Sequence, residues 1–157
     1  MQFLGPESAS RVKKTRNDYA DLAIPGSPGA RAVAVALGSN LGDRRDHLYF
    51  GISKLQQILT NVTVSDFIET VPQIPSESTE PMFLNAAAVG RSAESPATLL
   101  SRLRAVEYAS GRERPYPGAA RTLDLDLILV GDIVLSKSEL IVPHPRFRER
   151  EFVLAPL

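Results

Sequence analysis

In the stretch Arg121-Thr-Leu-Asp-Leu-Asp-Leu-Ile-Leu-Val130, Leu123, Leu125, Leu127 and Leu129 alternate with Thr122, Asp124, Asp126 and Ile128. A period of two is the signature of a β-strand with one buried face. On that strand Asp124 and Asp126 project from the same side, roughly 7 Å apart at about 3.3 Å per residue. Two like charges at that spacing repel by about 2 kcal/mol at an effective dielectric of about 20, and by well under ~1 kcal/mol in open water. A sheet face carrying both needs free solvent or a bound cation. Oxygen ligands with arginines nearby suit Mg²⁺ and a polyphosphate better than zinc, which favours His and Cys.

Upstream of this strand, Arg112 to Ala120 is a loop rich in Pro, Gly and Arg. Before it, Ser95-Pro96 is a helix start, an N-cap followed by proline at the first helical position. Leu99, Leu103 and Val106 mark that helix's buried stripe, and Gly111 ends it. Phe83 to Val89 reads as a strand, Val71 to Met82 as a long proline-containing loop, and Val62 to about Thr70 as another strand. In the latter, Val62, Val64 and Ile68 are expected on one face and Phe67 on the other.

Further back, Leu48, Ile52, Leu55 and Leu59 form the apolar stripe of a first helix, with Asp43 and Asp46 near the positive end of its dipole. Gly38 to Gly42 is a tight turn into that helix, and Arg31 to Leu37 is the first strand. The Gly38–Gly42 turn lacks the Gly-Lys-Ser/Thr ending of a phosphate loop. Arg44, Arg45 and His47 read as solvated helix positions. Downstream, Gly131-Asp132 turns the chain into a short partner strand near Ile133 to Leu135. Val142 to Pro145 is extended, and Arg146 to about Arg150 forms one helical turn. The order β-α-β-β-α-β with an added hairpin predicts an α+β, ferredoxin-like fold, an antiparallel sheet with packed helices.

The 157 residues amount to one domain. Residues 1–30 end in a Pro/Gly/Ser run and read as a disordered extension or linker, leaving 31–157 as the folded domain. Lys plus Arg equals Asp plus Glu, so no global basic field argues for nucleic acid. There is no cysteine, hence no disulfide framework or thiolate metal site. No apolar run approaches the ~20 residues that span a bilayer, and no signal peptide is evident. A cytoplasmic protein with no membrane or nucleic-acid partner is expected.

Several separated pieces, in order, resemble a known family. They are Leu37-Gly-Ser-Asn-Leu-Gly42, Phe83-Leu-Asn-Ala86, Glu107 with Gly111-Arg-Glu-Arg114, and Arg121-Thr-Leu-Asp-Leu-Asp126. Val142-Pro-His-Pro145 follows, then Arg150 with Phe152 and Pro156-Leu157. Together they cover about residues 33 to 157, and the set resembles the 6-hydroxymethyl-7,8-dihydropterin pyrophosphokinases of folate biosynthesis. The resemblance implies transfer of diphosphate from ATP to the hydroxymethyl group of 6-hydroxymethyl-7,8-dihydropterin, with release of AMP. It implies two Mg²⁺ ions on Asp124 and Asp126, and phosphate contacts from Arg112 and Arg121 as the catalytic arginines. Glu107, Arg114, Leu127, His144 and Arg150 match nucleotide-side positions. Thr70, Phe83, Asn85 and Phe152 match the pterin pocket. The resemblance also implies a monomer.

The chemistry fits these residue types. The nucleophile comes from the substrate, so the protein must neutralise a triphosphate and hold an in-line geometry. The chain departs from the family pattern at Arg104, Glu139 and Ile141 and in the loops 71–82 and 115–120. It also stops at Leu157, earlier than family members usually do, so a shortened C-terminus is expected. Two other readings stand beside the first: a metal-dependent phosphoryl or nucleotidyl transferase with another acceptor, and a non-catalytic ligand- or RNA-binding module of similar fold. The RNA version predicts a basic excess and Arg-Gly-Phe-type runs, which this sequence lacks.

Overall fold

A computed structural model describes residues 29–71, 81–111 and 120–149. In chain order the elements are β1 (Arg31–Ser39), α1 (Arg44–Ile58), β2 (Thr60–Val64), β3 (Ile68–Thr70), β4 (Phe83–Ser92), α2 (Pro96–Ala109), β5 (Asp124–Val130), β6 (Leu135–Lys137) and β7 (Leu140–Val142). A 3-10 turn follows at Phe147–Glu149. The main sheet runs β2-β4-β1-β5, with β3 also pairing β4, and every ladder is antiparallel. This is the expected α+β, ferredoxin-like arrangement. No helix among the described residues is long and apolar enough to cross a membrane.

Local chemistry sets the element ends. Asp43 caps α1, its carboxylate accepting the Asp46 amide at 3.0 Å. Ser95 caps α2 by accepting the Thr98 amide at 3.2 Å, with Pro96 in the first turn where a missing N–H costs nothing. Val33, Val35 and Leu37 of β1, Leu84, Ala86 and Ala88 of β4, and Leu123, Leu125, Leu127 and Val130 in and beside β5 form one core. They pack with Leu48 and Leu55 of α1 and Leu99, Leu103 and Val106 of α2. At about 1.5–3 kcal/mol for each fully buried leucine, this layer is the main source of stability. A smaller cluster, Ala34, Ala36 and Ile128 with Leu129 and Phe147, is separate from it.

Several expectations are corrected. The first strand continues through Gly38 and Ser39, so the turn into α1 begins at Asn40. The second strand is two, β2 and β3, because the pairing with β4 is interrupted over Ser65–Phe67. That interruption shifts the facing: Phe67 packs on the main core with Val62 and Val64, while Ile68 stands opposite Asn85. In β5 the alternation slips after Leu127. Val35 faces Leu127 but Ala34 faces Leu129, a bulge that sends Leu129 to the small cluster and Val130 to the main core.

The stripe of α1 packs on the core as expected, with Ile52 half-buried against it, and Gly51 joins Leu48 and Leu55 at the buried centre. A Cβ at Gly51 would meet the Leu123 and Leu37 methyls at 3.2–3.3 Å, so the glycine lets helix and sheet approach closely. The chain after Gly131-Asp132 does not pair with β5. Leu135–Lys137 pairs instead with Leu140–Val142 in a hairpin of its own.

Candidate active site

β1 lies between β4 and β5, and its register aligns their side chains. Gly38 stands opposite Asp124 on one side and Asn85 on the other. Directly opposed residues of an antiparallel ladder project to the same face. Asp124, Gly38 and Asn85 therefore form one row on the face turned away from the helices, and Asp126, Ala36 and Ala87 form the next. Phe83, two residues before Asn85, shares that face and pairs with Thr70. Four expected site residues on three strands, Asp124, Asn85, Phe83 and Thr70, thus meet around Gly38. A Cβ there would approach Asn85 Oδ1 to 3.1 Å and Phe83 Cδ1 to 3.6 Å, so the glycine keeps the row open.

Arg121 joins the two halves of this face. Its Nη1 donates to Asp124 Oδ2 at 3.2 Å, and its guanidinium lies 5.8 Å from the centre of the Phe83 ring. Arg121 Nε is buried and has no hydrogen-bond partner among the described residues. Asn85 is buried, and its Nδ2 donates to Thr70 Oγ1 at 2.8 Å. That bond aims the other end of the amide, the acceptor Oδ1, toward the space above Gly38.

A second compartment lies at the outer edge of β5 in the described sheet. A cavity of about 270 Å³ lies among α2, β5 and the β6–β7 hairpin, lined by Glu107, Asp126, Leu127 and His144 among others. Three expected nucleotide-side residues meet there with one expected metal ligand. Glu107 is buried and accepts the Leu125 amide at 2.7 Å, which ties the end of α2 to the strand edge. In an antiparallel ladder, residues two apart turn their amides the same way, so Leu127 also presents its backbone toward this edge. His144 donates its backbone N–H to Ile128 at 2.8 Å, and its Nδ1 accepts the Arg146 amide at 3.2 Å. Arg104, Glu139 and Ile141, the positions that depart from the family pattern, line the same cavity.

Arg112, Arg114, Arg150 and Phe152 lie outside the described residues. Among the described residues, no three or more His, Cys, Asp or Glu side chains are placed to hold a metal by themselves. Two carboxylates are nevertheless a suitable protein share for Mg²⁺, which takes its remaining ligands from substrate phosphates and water. Two surface readings are corrected. Arg44, expected to be solvated, donates to the Met82 carbonyl at 3.0 Å and to Glu69 at 2.6 Å. His47 is half-buried against Gly42 rather than in solvent. Sequence reasoning missed Asn40, which is buried and bonded to Arg121. Its only signal was membership of the Gly38–Gly42 run.

Fold and site together define the class, a small α+β protein with paired carboxylates and an arginine beside a sheet-edge cavity. A family model for 7,8-dihydro-6-hydroxymethylpterin-pyrophosphokinase matches residues 34–157. The chain is 39% identical over 125 residues to a 2-amino-4-hydroxy-6-hydroxymethyldihydropteridine pyrophosphokinase of Bacillus subtilis, covering 78% of this chain and 74% of that one. It is 35% identical over 125 residues to the Haemophilus influenzae protein of the same name, covering 78% and 77%. It is also 39% identical over 126 residues to a mitochondrial folate synthesis bifunctional protein of Arabidopsis thaliana, covering 80% of this chain and 22% of that longer one. The chain belongs to the 7,8-dihydro-6-hydroxymethylpterin-pyrophosphokinase family. It is therefore a diphosphate-transferring enzyme of folate synthesis that uses ATP as co-substrate, which decides among the three readings raised by the sequence.

Proposed function

We propose that the row on the open sheet face is where diphosphate passes from ATP to 6-hydroxymethyl-7,8-dihydropterin, and that Asp124 and Asp126 hold two Mg²⁺ ions there. The observation that carries this reading is the register Asp124–Gly38–Asn85, which sets a carboxylate and a buried amide side by side across one glycine. Bound magnesium would neutralise phosphate oxygens and polarise the β-phosphorus. Arg121, held by Asp124 and Phe83, directs its remaining donors at the same oxygens, where charge builds in the transition state. Arg112 is assigned the second phosphate contact.

On the pterin side, Asn85 reads the amide-like edge of the ring through its fixed acceptor and its second amide hydrogen. Thr70 holds that amide in place, and Phe83 and Phe152 offer faces for the flat ring. On the nucleotide side, Glu107, Leu127 and His144 line the cavity for the base and ribose, with Arg114 and Arg150 completing the set. Residues 31–157 are assigned as the catalytic domain, acting as a cytoplasmic monomer on small molecules.

The test is AMP release from Mg-ATP with and without the hydroxymethyl dihydropterin, in the parent enzyme and in Asp126→Ala. AMP that appears only with the pterin, and that falls at least ~100-fold in a folded Asp126→Ala, is the expected result. Inorganic phosphate as product would defeat the acceptor assignment. Activity within a few-fold of the parent in Asp126→Ala would defeat the metal assignment.

A further inference from the structure

Asn40 sits in the turn between β1 and α1 and is 2% exposed. An asparagine that merely shapes its own turn bonds backbone groups a residue or two away. The partners of Asn40 are remote. Its Oδ1 accepts the Arg121 amide at 2.8 Å across 81 residues, and its Nδ2 donates to the Pro81 carbonyl at 3.4 Å across 41. Its own backbone N–H donates to the Arg121 carbonyl at 3.1 Å. Both backbone groups of Arg121 are thus gripped by one buried residue, whose free end reaches the chain just before β4. Arg44 adds a bond to the next carbonyl, that of Met82.

We propose that Asn40 is a positioning residue for diphosphate transfer. It fixes the backbone from which the Arg121 guanidinium reaches Asp124 and Phe83. It also keeps that group in register with the start of β4, where Phe83 and Asn85 stand. The inference rests on the assignment of Arg121 as a phosphate-gripping residue. Displacing such a group by about 1 Å costs on the order of 100-fold in rate, whereas both side-chain bonds of Asn40 go to protein backbone. Asn40→Ala is therefore expected to lower kcat about 10- to 100-fold, with KM for ATP and for the pterin within about threefold. Asn40→Asp keeps the acceptor for the Arg121 amide and restores most of kcat.

The deciding experiment is a double-mutant cycle between Asn40→Ala and Arg121→Ala, with folding followed by circular dichroism. If Asn40 acts through Arg121, its substitution adds less than about twofold to the loss already caused by Arg121→Ala. A full, multiplicative loss overturns the proposal and leaves the role of Arg121 standing. A kcat for Asn40→Ala within twofold of the parent overturns it as well. An Arg121→Ala enzyme with parental kcat defeats both the proposal and the assignment beneath it. Should Asn40→Ala not fold, Asn40→Ser removes the same long-range bonds while keeping a buried hydroxyl, and the cycle reads identically.

Discussion

At the scale of single residues, what could be foreseen was whatever the backbone period dictates. Asp124 and Asp126 share a face because strands alternate, and the pairing of Arg121 with Asp124 spans only three residues. The tether between Thr70 and Asn85 was not foreseeable in that way, because it depends on how β3 meets β4. Nor was the grip of Asn40 on Arg121. The Thr70 bond has a measurable consequence. Thr70→Val keeps the shape and removes the hydroxyl, so the Asn85 amide loses the partner that fixes its orientation. A hydrogen bond of this kind is worth about 0.5–1.5 kcal/mol net, and ~1.4 kcal/mol is a factor of ten. The KM for the pterin should rise about 2- to 10-fold in steady-state assays, with the KM for ATP unchanged. An unaltered pterin KM in the folded variant would remove Thr70 from the pterin side.

Among the elements, helices and strands with strong periods emerged at their expected places, and the misses share one cause. The interruption at Ser65–Phe67 and the bulge after Leu127 each move the alternation by one residue. Neither carries a glycine or proline to announce it, so Phe67, Ile68, Leu129 and Val130 change faces without a local cue. The pairing of Leu135–Lys137 with Leu140–Val142 is likewise settled by tertiary packing. Gly90 tests how tightly the elements are fitted. It faces Val33 in the centre of the sheet, and a Cβ there would stand 2.9 Å from Leu59 Cβ and 3.1 Å from the Thr60 carbonyl. Both obstacles are close to the backbone where α1 ends and β2 begins, so neither can swing aside. Overpacking costs about 1–3 kcal/mol, against roughly 0.4–1 kcal/mol gained from the stiffer unfolded chain. The Gly90→Ala protein should be destabilised by about 1–2 kcal/mol in a urea melt, with its kcat retained. A midpoint at or above the parent's would show that α1 and β2 are not held as closely as this contact implies.

For the whole molecule, the fold follows from placing two helices on one face of an antiparallel sheet, with the proposed site on the other. Among the described residues the main core runs from Val33 to Val142, and the first strand begins at Arg31. The family match begins at residue 34. Arg91 donates to the Ala30 carbonyl at 2.7 Å, which ties the residue before the first strand to β4. On the proposal that residues 31–157 form the catalytic domain, a chain shortened to begin at Gly29, with an initiating methionine, should melt within about 2 °C of the full chain and keep kcat and both KM values within twofold. A loss of about 1 kcal/mol would register as several degrees in a domain of this size, so a scanning calorimeter resolves the two outcomes. If the shortened protein melts much lower, or turns over slowly with an unchanged melt, residues 1–28 belong to the stability or to the active site, and assigning catalysis to residues 31–157 alone fails.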